Sequence, residues 1–253
     1  MKKLLATFAA AAFCALSTSQ SATVIWGTPT GITSDLDVST TGTGVYAYAF
    51  PVSNTTSTVN GVLFNYAGPT SSVATPLSIG GGDATLSTSA GFIAKGDFSP
   101  NFTPTAPYTN LTSAYQAVIS GGDYADIGAG AYSPMTLTLN NLSVAQQYQF
   151  QFWVNDSRTG AFNTRTETIT AGNAVTLQYN TTQTGSGLGQ WAIGTFTADA
   201  TTQNFVIAGL AGDVPVAQIN AFQLRAVPEP STWVMATAGL TVLIVMNRRR
   251  ASV

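Results

Sequence analysis

The sequence predicts an all-β fold, an antiparallel β-sandwich flanked by an apolar segment at each end. Three observations predict it. Apolar and polar residues alternate with period two along much of the chain, with no long amphipathic helix between them. Gly, Asn, Asp and Pro gather at the joins, as in Gly80-Gly81-Gly82-Asp83 and Gly185-Ser186-Gly187, at a spacing typical of short strands linked by turns. Charge is scarce, 8% of residues, so hydroxyls and amides must supply the polar faces. The roughly 200 residues between the two ends suffice for one sizeable core.

The chain begins with the layout of a secretory signal peptide. Lys2-Lys3 form a basic start, Leu4 to Leu16 an apolar stretch that would run as a signal helix, and Ser17 to Ala22 a run of small residues broken only by Gln20. Ser19 and Ser21 place small residues at the positions a signal peptidase reads, so cleavage is expected after Ser21 and the signal occupies residues 1–21. Cys14 is the only cysteine. The exported chain would then hold together through its core and its sheet ladders, without disulfides.

Residues 22–226 form the expected sandwich. Strands are predicted at Tyr46 to Val52 and Val59 to Tyr66, and Leu111 to Ile119 is the one candidate for a short helix. Met135 to Val154 reads as two strands joined by a short connection: Leu137 and Leu139 alternate with threonines, and Asn140-Asn141 begins a turn. In the second of these, Tyr148, Phe150, Phe152 and Val154 share one face and the glutamines take the other. Phe150 and Phe152 are therefore assigned to the core, and Gln151 to a site outside it. Thr166 to Thr170, Ala174 to Asn180, Trp191 to Thr197, Asn204 to Ala208 and Ile219 to Arg225 complete the set. The half before Leu111 either supplies further strands of the same sandwich or forms a loose extension.

Composition excludes several chemistries. Between Thr23 and Ala226 the basic residues are only Lys95, Arg158, Arg165 and Arg225, and acids outnumber them. Nucleic acid, which needs clustered cations, is excluded as a partner. The chain has no histidine, which removes Ser-His-Asp catalysis and histidine metal sites. No catalytic pair and no cofactor site is assigned, and the chain is read as non-enzymatic. Two acidic groups offer oxygen ligands to a structural calcium ion, Asp35 with Asp37 and Asp123 with Asp126, but neither has the spacing of a calcium loop. Turn formation is the plainer role for both.

One loop invites a sharper reading. Asp156 and Arg158 follow the best strand, and Arg165 lies beyond Gly160. They could bind sugar hydroxyls, with Trp153 or Phe162 as a stacking platform. The plainer reading, preferred on its simplicity, is a loop pinned by an Asp–Arg pair.

The last 27 residues carry the most specific pattern. Pro228 and Pro230 fix their own φ and push Val227 and Glu229 toward extended backbone, so the chain enters this tail as a stiff spacer. Ser231 to Met246 is a run of 16 uncharged residues, about 24 Å long as a helix. That is short for a hydrocarbon core of about 30 Å, a mismatch that snorkelling by Arg248, Arg249 and Arg250 would relieve. Trp233 sits where an interfacial anchor belongs, and the arginines predict a cytoplasmic C-terminus. A transmembrane helix is expected over 231–246.

Pro228-Glu229-Pro230, the apolar run and the arginines, in that order, resemble the PEP-CTERM sorting tail of exported proteins in exopolysaccharide-producing Gram-negative bacteria. The resemblance covers about residues 227–250. It implies that an exosortase-type enzyme reads Pro-Glu-Pro, and that the protein is held in the inner membrane before transfer to the cell surface or extracellular matrix. A softer resemblance runs from Leu111 to Ala226. The Leu137/Leu139 strand, Tyr148 to Arg158 and Ile219 to Leu224 look like the jelly-roll module of galactose-binding-like domains. The two together imply a structural or adhesive surface protein, and as the competing reading a carbohydrate-binding module that engages exopolysaccharide.

Overall fold

The computed structural model describes residues 21–69, 72–126, 133–160, 164–211 and 216–228. Residues 1–20 of the expected signal segment, Phe162, Glu229, Pro230, the expected membrane helix 231–246 and Arg248 to Arg250 lie outside them. Among the described residues no helix is long and apolar enough to cross a membrane.

In chain order the strands are β1 (Ile25–Trp26), β2 (Thr30–Gly31), β3 (Thr43–Ala49), β4 (Ser57–Val59), β5 (Val62–Tyr66), β6 (Val73–Ala74), β7 (Leu77–Ile79), β8 (Ala84–Thr88) and β9 (Phe92–Asp97). After the helix α1 (Ser113–Ser120) come β10 (Gly121–Asp126), β11 (Met135–Leu139), β12 (Gln147–Val154), β13 (Thr166–Ala171) and β14 (Asn173–Gln178). The chain closes with β15 (Gln190–Thr197), β16 (Gln203–Ala211), β17 (Gln218–Ile219) and β18 (Ala221–Ala226).

Two large sheets form the sandwich. One has eight strands, β1-β15-β12-β18-β3-β5-β4 with β2 also on β15, and the other six, β14-β13-β16-β11-β8-β7. A third sheet, β17-β10-β9-β6, closes one side with four strands. Pairing is antiparallel throughout except between β3 and β5, which run parallel, so the large sheet is mixed at that edge rather than wholly antiparallel.

The period-two pattern explains the core. Tyr148, Phe150, Phe152 and Val154 of β12 are all buried, and Phe150 stacks on Phe205 of the facing sheet with ring centroids 4.1 Å apart. Trp26, Phe196 and Phe222 complete an aromatic centre between the sheets, to which the small sheet adds Ile93, Ala125 and Ile219.

Two readings of the sequence are completed by the structure and two are corrected. The two strands in Met135 to Val154 are not partners: β11 sits in the six-stranded sheet between β16 and β8, and β12 in the other between β15 and β18. The connection between them is an inter-sheet corner, tied by Leu142 N–H to Thr201 O and Ala145 N–H to Ala198 O. Val59 to Tyr66 is not one strand. Asn60 and Gly61 both take positive φ, 48° and 74°, the two-residue turn that Asn-Gly favours, so β4 and β5 form a hairpin. The half before Leu111 belongs to the sandwich and contributes strands to all three sheets. Finally, the outer face of β12 is not solvated. There α1 and residues 32–38 cover the sheet, burying Trp153, Tyr115, Val118, Ile119 and Val38 in a second cluster.

Gln151 is caught in that cover and is fully buried. Its Oε1 accepts from Ser39 N–H at 2.9 Å and Gln223 Nε2 at 2.7 Å, and its Nε2 donates to Asp37 O at 2.7 Å. The alternation placed Gln151 on the correct face. That face is covered, so the expectation of a site outside the core is corrected.

Candidate functional site

Asp156, Arg158 and Arg165 do come together. As β12 ends, Asn155 to Ser157 turn inward and are fully buried. Asp156 Oδ1 accepts from Arg158 Nε at 2.9 Å and Oδ2 from Arg158 Nη2 at 2.7 Å, a bidentate pair. Arg165 Nη2 contacts the same Oδ2. Each guanidinium lies over a ring, Arg158 4.9 Å from the Phe98 centroid and Arg165 4.8 Å from that of Tyr179. Arg158 keeps 23% of its side chain exposed, against 5% for Arg165. Asp156 is thus satisfied from within the chain, and the trio fixes the loop geometry rather than offering a free carboxylate.

Trp153 does not join this loop's surface. It has no exposed surface, its indole N–H donates to Tyr115 OH at 2.9 Å, and Phe64 packs edge-on at 5.5 Å. A sugar-stacking role for Trp153 is incompatible with that burial.

Behind the arginines lies a second buried acid. Glu167 Oε2 is 2.8 Å from Tyr179 OH and accepts from Gln218 N–H at 2.9 Å. Burial pushes its carboxyl up to about 8, against the opposing pull of those hydrogen bonds and of Arg165. Tyr179 OH also reaches Val216 O at 2.5 Å. One phenolic proton cannot serve both oxygens. A protonated Glu167 resolves the conflict by donating to Tyr179 while Tyr179 donates to Val216. Displaced acids of this kind mark active sites in many proteins, but ion-pair networks displace them too. Glu167 and Tyr179 are fully enclosed, so the arrangement braces β13 against residues 216–218 and reaches no solvent.

Of the acidic candidates for calcium, Asp35 and Asp37 serve as local ties. Asp37 accepts from Thr33 N–H at 2.6 Å, Thr33 Oγ1 at 3.0 Å and Ser34 N–H at 2.9 Å. Asp35 accepts from Thr112 Oγ1 at 2.8 Å, which ties the turn to the start of α1. Among the described residues no three acidic or sulfur ligands gather as a metal would require. The Asp126 side chain is outside the described set.

Two features escaped the sequence reading. The outer face of the large sheet holds an open groove of about 540 Å³ lined by Asn60, Asn65, Gln223, Arg225 and Val62 among others. The Arg225 guanidinium is already committed to the carbonyls of Thr40, Thr41 and Gly42. The other is the setting of Asp123, read from the sequence as a calcium or turn candidate: it lies instead within strand β10 of the small sheet, fully buried, with neither carboxyl oxygen bonded among the described residues. Lys95 faces it across the strand pair. The one available signal was that Lys95 is the only lysine after Lys3.

No family model matches the chain, and no curated protein matches it significantly. Among solved structures, carbohydrate-binding modules of the β-sandwich superfamily, described for promiscuous specificity, are 11% identical over 63% of this chain and 66% of theirs, with a TM-score of 0.17. A superposition that poor carries no argument about this chain's fold or ligand.

Proposed function

We propose that this chain is an exported, non-enzymatic protein of the cell surface or extracellular matrix: a jelly-roll-like sandwich delivered by a signal peptide and handled through a PEP-CTERM-like tail. The observation that carries the reading is where, among the described residues, contacts with the sandwich begin and end. Ser21 Oγ accepts from Asn204 N–H at 3.2 Å, and Ala22 is buried with its carbonyl accepting from Gln203 Nε2 at 3.0 Å. Val227 N–H donates to Gln147 O at 2.9 Å and Val227 O accepts from Gln146 Nε2 at 2.8 Å. The two sequence devices that direct export flank this body directly.

The test acts on the tail. Glu229, held between two prolines, is the recognition element for an exosortase-type enzyme, since a rigid turn loses little entropy on docking. In the native host, Glu229→Ala should fold and insert but remain uncleaved in the inner membrane. Deleting Arg248 to Arg250 should instead disturb insertion. Normal release of the Glu229→Ala protein would overturn the sorting role.

The groove favours a second reading, a carbohydrate-binding module for exopolysaccharide, because the exposed Asn65 lines it with an amide suited to sugar hydroxyls, while the amide groups of Asn60 and Gln223 donate within the chain. Binding on a glycan array that is lost in Asn65→Ala would support it, and a flat array would leave the structural role alone.

A further inference from the structure

The strand directions bring both ends of the described chain to one end of the sandwich. β18 runs antiparallel to β12 and so finishes where β12 begins, with Ala226 opposite Tyr148. β15 runs antiparallel to β12, and β1 to β15, so β1 starts at that same end. There Gln147 faces Thr197, and Ile25 faces Thr195. Gln147 is the meeting point. Its carbonyl accepts from Val227 N–H at 2.9 Å, and with Ala22, Thr23 and Asp199 it lines an open pocket of about 380 Å³.

The opposite end lies a strand length away. β12 has eight residues and is about 26 Å long. Beyond it Ser186 N–H donates to Ser157 O at 2.9 Å, and Thr159 N–H to Asn101 Oδ1 at 3.2 Å. From Val227 to Ser231 there are four Cα steps, at most about 14 Å of chain. That reach keeps the Gln147 end close to whatever holds residue 231, while Thr159 stands about 26 Å further off. Two apolar side chains are exposed at the near end. Val144, in the turn closed by Gln146 N–H to Ser143 O at 3.1 Å, is 58% exposed, and Ile25, in the pocket wall, is 69% exposed. Asp199 is the only charged residue lining that pocket, so no cation there would hold an anionic headgroup.

We propose, resting on the reading of 231–246 as a membrane helix, that the Gln147 end is the membrane-facing end of the uncleaved protein. The turn carrying Val144 and the pocket wall carrying Ile25 rest against the lipid interface that holds the tail, and the Thr159 end points away from it. Contact is made by the tether and these apolar side chains, not by charge. Before the signal segment is removed, both apolar stretches, Leu4 to Leu16 and 231–246, lead from this one end. A single membrane surface can therefore hold both without pulling the sandwich apart.

Fluorescence quenching of the full chain in phosphatidylcholine vesicles, with the quencher on the lipid headgroup, tests this. Cys14→Ala removes the only native thiol, so a fluorophore can be placed at Val144→Cys or at Thr159→Cys, both exposed positions. The Val144 label should lose most of its emission and the Thr159 label almost none, and added salt should not alter the difference. Equal quenching of the two, or stronger quenching at Thr159, in a chain that still floats with the vesicles overturns the orientation and leaves the reading of the tail standing. A chain that does not float with the vesicles overturns both. Quenching of the Val144 label that persists after deletion of 231–253 overturns the tether as its cause.

Discussion

Replacing Glu167 by glutamine should change how stability depends on pH more than it changes stability itself. The folded carboxyl titrates at about 8, against 4.5 for an ordinary glutamate. Across that interval of about 3.5 pH units the native state holds a proton that the unfolded state has released. A group whose folded value is raised contributes stability that is fully present below the unfolded value and is lost as pH rises through the folded one. At about 1.4 kcal/mol per unit, the loss between pH 4.5 and 8 approaches about 5 kcal/mol as an upper bound. Asp123, also raised by burial, adds in the same direction. The carboxamide of the Glu167→Gln variant would keep an acceptor for Gln218 N–H and a donor for Tyr179, but it has no proton to lose. Urea midpoints measured at pH 5 and pH 8 should therefore fall steeply for the parent and much less for Glu167→Gln. Parallel pH profiles for the two proteins would refute the buried, protonated acid.

Phe152→Ala should cost about 3–5 kcal/mol, the range for a fully buried phenylalanine. Gln151→Ala should cost about 1–3 kcal/mol, because it strands buried groups that were hydrogen-bonded; a neutral result in denaturant melts would show that the outer cover is loose. Arg165→Met should destabilise by about 3–5 kcal/mol by taking a buried partner from Asp156. Arg158→Ala should cost less, since Arg158 is partly exposed, and a reversed ranking would mean that the loop is pinned from outside. A reporter fused after Val253 should be active in the cytoplasm and silent in the periplasm, and the opposite pattern would reverse the topology.

The inner face of β12 was legible because period two fixes which residues point together: Tyr148, Phe150, Phe152 and Val154 needed no tertiary knowledge. The fate of Gln151 and Trp153 did need it. Whether an outward face meets water depends on α1 and residues 32–38 folding over it, and alternation carries no record of that. The small sheet was missed for a different reason. β9 contains Lys95, Gly96 and Asp97, and β10 opens Gly121-Gly122-Asp123, residues depleted in strands. Their pairing comes from long-range register. The same tripeptide takes two structures for that reason: Gly81-Gly82-Asp83 is in the turn between β7 and β8, and Gly121-Gly122-Asp123 is strand. At the candidate loop, proximity of Asp156, Arg158 and Arg165 was legible from spacing. Their enclosure was not, since it depends on Phe98 and Tyr179, both distant from Asp156 in sequence.

The central claim, export followed by removal of a sorting tail, is tested most directly by the masses of both termini of the mature protein recovered from the surface or matrix fraction of the native host. The account predicts a chain that begins near Ala22, just after Ser21, and ends close to Pro228-Glu229-Pro230, without the 231–246 segment. Recovery from the cytoplasm with Met1 and Val253 both intact would contradict it.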